Sequence, residues 1–169
     1  MPVSVCEHAP SETAATATNA RKTLVVLDFD GAVASSRTLP DSSLYRTSKS
    51  AWVRESVVDL LHWLGQQPNV VLRWTTTSQE LFAETRRARF GPLFADAALG
   101  DGQRADVADR IVEMAAGYGH VVVADPHRDV TTAVQIRLHE RVTALTTDPE
   151  TGLTDHQIAT IRRAVVLAR

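Results

Sequence analysis

Apolar residues fall along this chain in two kinds of run, short continuous ones and longer ones with helical period, and the two kinds alternate. Leu24-Val-Val-Leu27 is continuous and β-branched, and Asp-Phe-Asp-Gly stops it. Such a run marks a strand covered on both faces, as in a parallel sheet. Order is expected to begin at Thr23. Residues 31–50 are rich in serine, with a turn signal at Pro40-Asp41. They read as a loop with at most a short hairpin or helical turn. From Ala51 the period becomes helical: Trp52, Val53, Val57, Leu60, Leu61 and Leu64 lie three and four apart, and Gly65 stands near the end. Val70 to Trp74 is a second strand, closed by Thr75-Thr76-Thr77. Ser78 caps a helix to about Arg89, which Gly91-Pro92 stops. Phe94 to Leu99 holds a short third strand. A helix from about Arg104 to Ala116 carries Val107, Ile111, Val112 and Met114, and Gly117 and Gly119 end it.

Val121-Val-Val-Ala124 is the clearest buried strand, with Asp125 at its C-terminal end. A helix from Val130 to about His139 and a fifth strand from Arg141 to Leu145 follow. Thr154 caps a last helix whose apolar stripe is Ile158, Ile161, Val165 and Val166. This order predicts a doubly wound, Rossmann-like α/β domain: a parallel five-stranded sheet with helices on both faces.

Composition narrows the setting. A chain of 169 residues suits one domain with a substantial core. Residues 1–20 are small and polar without apolar period, and read as a flexible tail; the domain spans 21–169. The net charge of −2, from 18 basic and 20 acidic side chains, makes no strong field. It neither argues for nor excludes a nucleic-acid partner. Cys6 is the single cysteine, so no internal disulfide forms, which fits a reducing cytosol. No apolar run reaches the ~18 residues of a membrane span, and the N-terminus lacks a signal-peptide pattern. A cytoplasmic protein with no membrane partner is expected.

In open α/β sheets ligands bind beyond the carboxyl ends of the strands. Three strands bring polar groups to that rim: Asp28 and Asp30 from the first, the threonine run from the second, Asp125 from the fourth, with Asp129 four residues on. Each alone is ordinary turn or cap chemistry. Together they place carboxylates and hydroxyls, distant in sequence, at one edge. Asp28 and Asp30, one residue apart past a strand, can face a common pocket. Carboxylates that close repel, so a hard divalent cation is expected between them, and Mg²⁺ is the candidate. Asp125 would add a third carboxylate.

The pattern resembles the haloacid dehalogenase (HAD) superfamily. Leu24-Val-Val-Leu-Asp28-Phe-Asp30-Gly31-Ala32-Val33 is similar to its first motif, with Ala32 where Thr or Val is usual. The resemblance implies that Asp28 attacks phosphorus and that Asp30 protonates the leaving group, then activates water. It implies a threonine that holds a phosphoryl oxygen, Thr76 or, failing that, Thr75, with Gly31 also bordering the substrate. Val121-Val-Val-Ala-Asp125-Pro-His-Arg-Asp129 is similar to the fourth motif. It implies metal ligation by Asp28, Asp30, Asp125 and Asp129.

The third motif asks for a lysine before strand four. The only lysines, Lys22 and Lys49, lie elsewhere. Arg104 is the substitute in best position, with Arg110 a second; Arg104 as an exposed helix residue stands beside that reading. Arg73-Trp-Thr-Thr-Thr-Ser78 and Thr146-Thr-Asp-Pro-Glu-Thr-Gly-Leu-Thr-Asp155 resemble a narrower group. These are short HAD domains related to the "Swiss Army Knife" RNA-repair proteins, also found alone in actinobacteria and their phages.

Neither gap between elements has room for a full cap domain, so the site would be open. The function implied is a Mg²⁺-dependent phosphatase acting on a small phosphomonoester, a nucleic-acid end or another large substrate. Arg86, Arg87 and Arg89 would meet a phosphate backbone or form a solvated helix face. A homodimer is a second way to close an open site. The alternative is a catalytically weak HAD-fold module that binds a partner, such as a phage-encoded effector acting on a host protein.

Overall fold

The computed structural model describes residues 22–37, 39–40, 42–45, 51–75, 98–99 and 104–168. Its centre is strand β1, Thr23–Asp28, buried at every position. Side chains alternate across a strand. Val25 and Leu27 enter one hydrophobic cluster, and Leu24 and Val26 the other. This two-sided burial is why the run is continuous rather than alternating in hydrophobicity.

Strands β2, Ser42–Tyr45, and β3, Ala51–Arg54, pair antiparallel as a separate hairpin. Helix α1, Glu55–Gly65, follows directly. Strands β4, Val70–Thr75, β5, Ala98–Leu99, β6, His120–Asp125, and β7, Val142–Thr146, complete a five-stranded sheet with β1, in the order β5-β4-β1-β6-β7. All its pairings are parallel. The chain starts in the middle, builds outward to β5, then returns to build the other half. The switch point therefore lies between β1 and β6.

Helices α2, Arg104–Ala115, and α3, Arg128–Leu138, cover one face through Ala108, Ile111, Val130 and Val134. Helices α1 and α4, Asp155–Leu167, cover the other through Val57, Leu60, Leu61, Ile158 and Ile161. Arg162 of α4 stacks over Trp63 of α1, 5.4 Å from the ring centroid, a cation–π contact joining the two helices. No described helix is long and apolar enough to cross a membrane.

The five strands and the two-faced layering match the pattern of apolar runs. One element differs. A helix was expected from Ala51, whereas Ala51–Arg54 is a strand and the helix begins at Glu55. Ser35 and Trp52 exchange backbone hydrogen bonds of 2.8 and 3.1 Å, which hold this segment extended. Val53 is fully buried, so a strand feeding straight into a helix continues the helix's apolar spacing. The tail over 1–20 and the helix from Ser78 to Arg89 lie outside the described residues, as does most of Phe94 to Leu99.

Candidate active site

β1 ends at Asp28, and the next residue decides what the aspartates face. Phe29 is fully buried in the core, so the chain is pinned between Asp28 and Asp30. Beyond it the backbone closes one wide turn. Val33 N–H donates to Asp28 C=O at 3.2 Å, and Ala34 N–H to Phe29 C=O at 2.8 Å. Gly31 makes this possible. Its φ is +119°, and a Cβ there would stand 2.9 Å from Pro126 Cγ and 3.2 Å from Pro149 Cβ. Both backbone groups of Gly31 are engaged inside the protein: its N–H donates to Ala34 C=O at 2.8 Å, and its C=O accepts from Thr147.

Sheet register brings the other groups to Asp28. Thr75 is its neighbour on β4, and the Thr75 hydroxyl donates to Asp28 Oδ1 at 3.1 Å. On the other side Leu27 pairs with Ala124, so Asp28 and Asp125 follow side by side at the switch point. Asp28 is 4% exposed and Asp125 3%. Asp125 Oδ1 accepts from His127 N–H at 2.7 Å, an Asx turn that starts the loop to α3. Burial, and next the negative charge of Asp125, push the Asp28 carboxyl up to about 8. Hydrogen bonds from Thr75 and the Asp30 N–H pull the other way, and the Asp30 charge adds to the rise.

A third segment locks this arrangement. Thr147, 5% exposed, donates its hydroxyl to Gly31 C=O at 2.7 Å and its N–H to Asp125 C=O at 3.1 Å. One residue thus ties the loop after β1 to the end of β6. The following residues continue the tie: Leu153 N–H donates to Ala32 C=O at 2.9 Å, and Ser36 N–H to Pro149 C=O at 3.1 Å. Gly152 has φ +67°, and a Cβ on it would meet Ala32 C=O at 2.8 Å. Ala32 is fully buried against this loop. Thr147 is absent from the candidates drawn from sequence. The Thr146 to Asp155 segment stood out there only as a signature, and its physical role, bracing the loop after β1, depends on contacts across more than a hundred residues.

Of the other candidates, Asp30 is half-buried beside Asp28, and Asp129 is exposed in the first turn of α3. Arg104 is the first residue of α2. Thr76 lies outside the described residues, as do Arg86, Arg87 and Arg89. Among the described residues no three acidic, histidine or cysteine side chains are grouped to cage a metal ion. Mg²⁺ needs no such cage, since one or two carboxylates with water and substrate oxygens commonly hold it. The Asp28–Asp125 pair fits on its own terms: two buried carboxyls side by side, whose burial and mutual repulsion disfavour ionisation of Asp28, gain most from a hard divalent cation.

The fold is HAD-like. Two solved structures have the same arrangement, each at 12% identity. The HAD domain of the Legionella pneumophila effector Lem4 superposes with a TM-score of 0.57, covering 87% of this chain and 97% of that one. The L. pneumophila effector Ceg4 superposes with a TM-score of 0.56, covering 85% and 94%. At this identity the likeness is one of fold. No family model matches the chain, and no curated protein matches it. In the HAD-like frame, the described segment between β1 and α1 holds only the small β2–β3 hairpin. Arg54, at its end, donates to Leu153 C=O at 3.1 Å and to Asp155 Oδ1 at 2.8 Å, fixing the hairpin to the bracing loop.

Proposed function

We propose that this chain is a Mg²⁺-dependent phosphohydrolase that cleaves phosphomonoesters through an aspartyl-phosphate on Asp28. The observation that carries this reading is the pair of buried carboxylates, Asp28 and Asp125, side by side at the switch point of an HAD-like sheet. The Asp28 carboxylate attacks phosphorus, and the bond to the leaving oxygen breaks as Asp30 protonates that oxygen. Asp30 then takes a proton from water, which attacks the same phosphorus and frees both phosphate and Asp28. Thr75 orients the Asp28 carboxylate. Thr76 remains the candidate for holding a phosphoryl oxygen, and Arg104 the candidate cation. Asp28 and Asp125 would hold Mg²⁺, with Asp30 and Asp129 as further candidates. When bound, the ion supplies positive charge to the phosphate and keeps Asp28 ionised.

Among the described residues only a hairpin stands beside the rim, which favours large substrates, so a nucleic-acid end suits it as well as a small phosphomonoester. The test uses an aryl phosphate with Mg²⁺. Wild type should turn it over and Asp28→Asn should lose the activity, by at least about 1,000-fold. Activity that survives Asp28→Asn removes Asp28 from its role.

A second reading has its own support. Both similar structures are bacterial effectors, and this chain lacks the third-motif lysine. A HAD-fold module that binds a host protein fits both facts. It is favoured if wild type with Mg²⁺ is inert toward small phosphoesters and phosphorylated DNA and RNA ends alike.

A further inference from the structure

Threonines frame the two carboxyls from the outer strands. Thr75 on β4 is the neighbour of Asp28, and Thr146 on β7 is the neighbour of Asp125. Thr75 bonds its aspartate directly. The Thr146 hydroxyl stands 2.7 Å from the hydroxyl of Thr131, in α3.

Thr131 is 3% exposed. Its helix neighbours Val130 and Val134 lie in the apolar cluster on that face of the sheet. A hydroxyl taken out of water there costs stability unless it is bonded. The bonds it makes all lead toward Asp125. The Thr131 hydroxyl donates to Arg128 C=O at 3.2 Å, and the Thr131 N–H donates to His127 C=O at 3.2 Å. His127 N–H in turn donates to Asp125 Oδ1 at 2.7 Å. A hydroxyl has one proton. That of Thr131 goes to Arg128 C=O, so Thr146 is the donor between the two hydroxyls. Thr146 is anchored in its turn: its C=O accepts from Gln157 Nε2 at 2.9 Å. The next residue, Thr147, donates its N–H to Asp125 C=O.

We infer that Thr131, held by Thr146, is a positioning residue for the cation site: it fixes the turn from Asp125 to Arg128 and, through the His127 N–H, the direction of the Asp125 carboxyl. This rests on the proposed Mg²⁺ site at Asp28 and Asp125. Thr131 acts only through Asp125 and takes no part in the chemistry. A carboxylate ligand binds a metal well when its own hydrogen bonds already aim it, and loss of those bonds lowers the affinity. Here the aiming group is a backbone N–H, and two hydroxyls from different elements set that backbone.

The experiment is Mn²⁺ binding to the intact chain, followed by electron paramagnetic resonance of the free ion, beside thermal melting of the metal-free protein. Mn²⁺ suits the same oxygen ligands as Mg²⁺. Wild type should bind the ion, and Asp125→Asn should lose it. Thr131→Val keeps the shape and the backbone N–H but removes the hydroxyl, and should weaken binding by about 10-fold. Thr131→Ser should restore it. Thr146 is exposed, so water takes over part of its role, and Thr146→Val should weaken binding by about 3-fold. Both act through one bond, so Thr131→Val/Thr146→Val should bind no more weakly than Thr131→Val. Equal affinity in wild type and Thr131→Val overturns the proposal, whatever the change in Tm, and leaves the Asp28–Asp125 site standing. So does a loss that Thr131→Ser fails to restore, or a double variant in which the two losses add. A wild type that binds no Mn²⁺, or binding that survives Asp125→Asn, overturns the cation site itself and this inference with it.

Discussion

At the scale of single residues, the site rests on a conflict that the fold creates. Asp28 is buried beside Asp125, and a lone buried carboxylate pair disfavours its own ionisation. The chain offers Asp28 only partial relief, through the Thr75 hydroxyl and the Asp30 N–H. In the proposed site the pair shares a cation, and the Thr147 bonds to Gly31 C=O and Asp125 C=O hold the two strand ends together for it. Thr147→Val keeps the shape and the N–H bond to Asp125 but leaves Gly31 C=O without its donor. Loss of a buried hydrogen bond costs about 1–3 kcal/mol, and displacement of a reacting group by 1 Å costs up to about 100-fold in rate. Thr147→Val should therefore lower kcat/KM by about 10- to 100-fold and raise the Mg²⁺ concentration for half activity, while Thr147→Ser recovers most of both. A titration of activity against Mg²⁺ for the three proteins checks this. Equal curves for wild type and Thr147→Val would reduce Thr147 to a bystander.

At the scale of elements, the bracing loop and α4 form one unit. Thr154 begins the helix with a reciprocal cap: its hydroxyl accepts from Gln157 N–H at 3.3 Å, and Gln157 Oε1 accepts from Thr154 N–H at 3.0 Å. Gln157 also reaches Thr146 C=O, so the cap is fastened to the end of β7. Thr154→Ala should cost about 1 kcal/mol, a fall in Tm of about 2–4 °C for a chain of this size. Differential scanning calorimetry at fixed pH measures it, and an unchanged Tm would mean that the cap is idle. The hairpin carries the opposite lesson. Trp52 and Val53 sit at helical spacing from Val57, yet Ser35 claims the Trp52 backbone and Val53 pairs with Ser43 of β2. Periodicity over the first turn cannot separate a strand that runs into a helix from the helix itself.

At the scale of the molecule, burial of charge makes stability depend on pH and on cations together. The Asp28 carboxyl stands at about 8 in the folded chain against 3.8 for the ordinary group. Between those values the native state binds the proton and the unfolded chain does not, so stability falls as pH rises. Its contribution is complete below about 3.8 and is lost as pH climbs through about 8. A cation bound to the ionised pair reverses the trend by stabilising the native state. Metal-free wild type should lose Tm between pH 6 and pH 8.5 relative to Asp28→Asn, and millimolar Mg²⁺ should flatten the wild-type slope. Parallel pH profiles for the two metal-free proteins would show that Asp28 is not under this strain.

The apolar runs alone determined the layered parallel sheet, its strand order in sequence and the carboxylates at strand ends. Each of those depends on local pattern: which residues can be covered on two faces, and where a strand must stop. Only the tertiary structure decided which threonine touches Asp28, that Gly31 is wedged between Pro126 and Pro149, and that Thr147 joins two strand ends. Only it decided that Ala51–Arg54 is extended. These depend on groups far apart in the chain competing for the same hydrogen bonds and the same space, and no local pattern records the winner of such a competition.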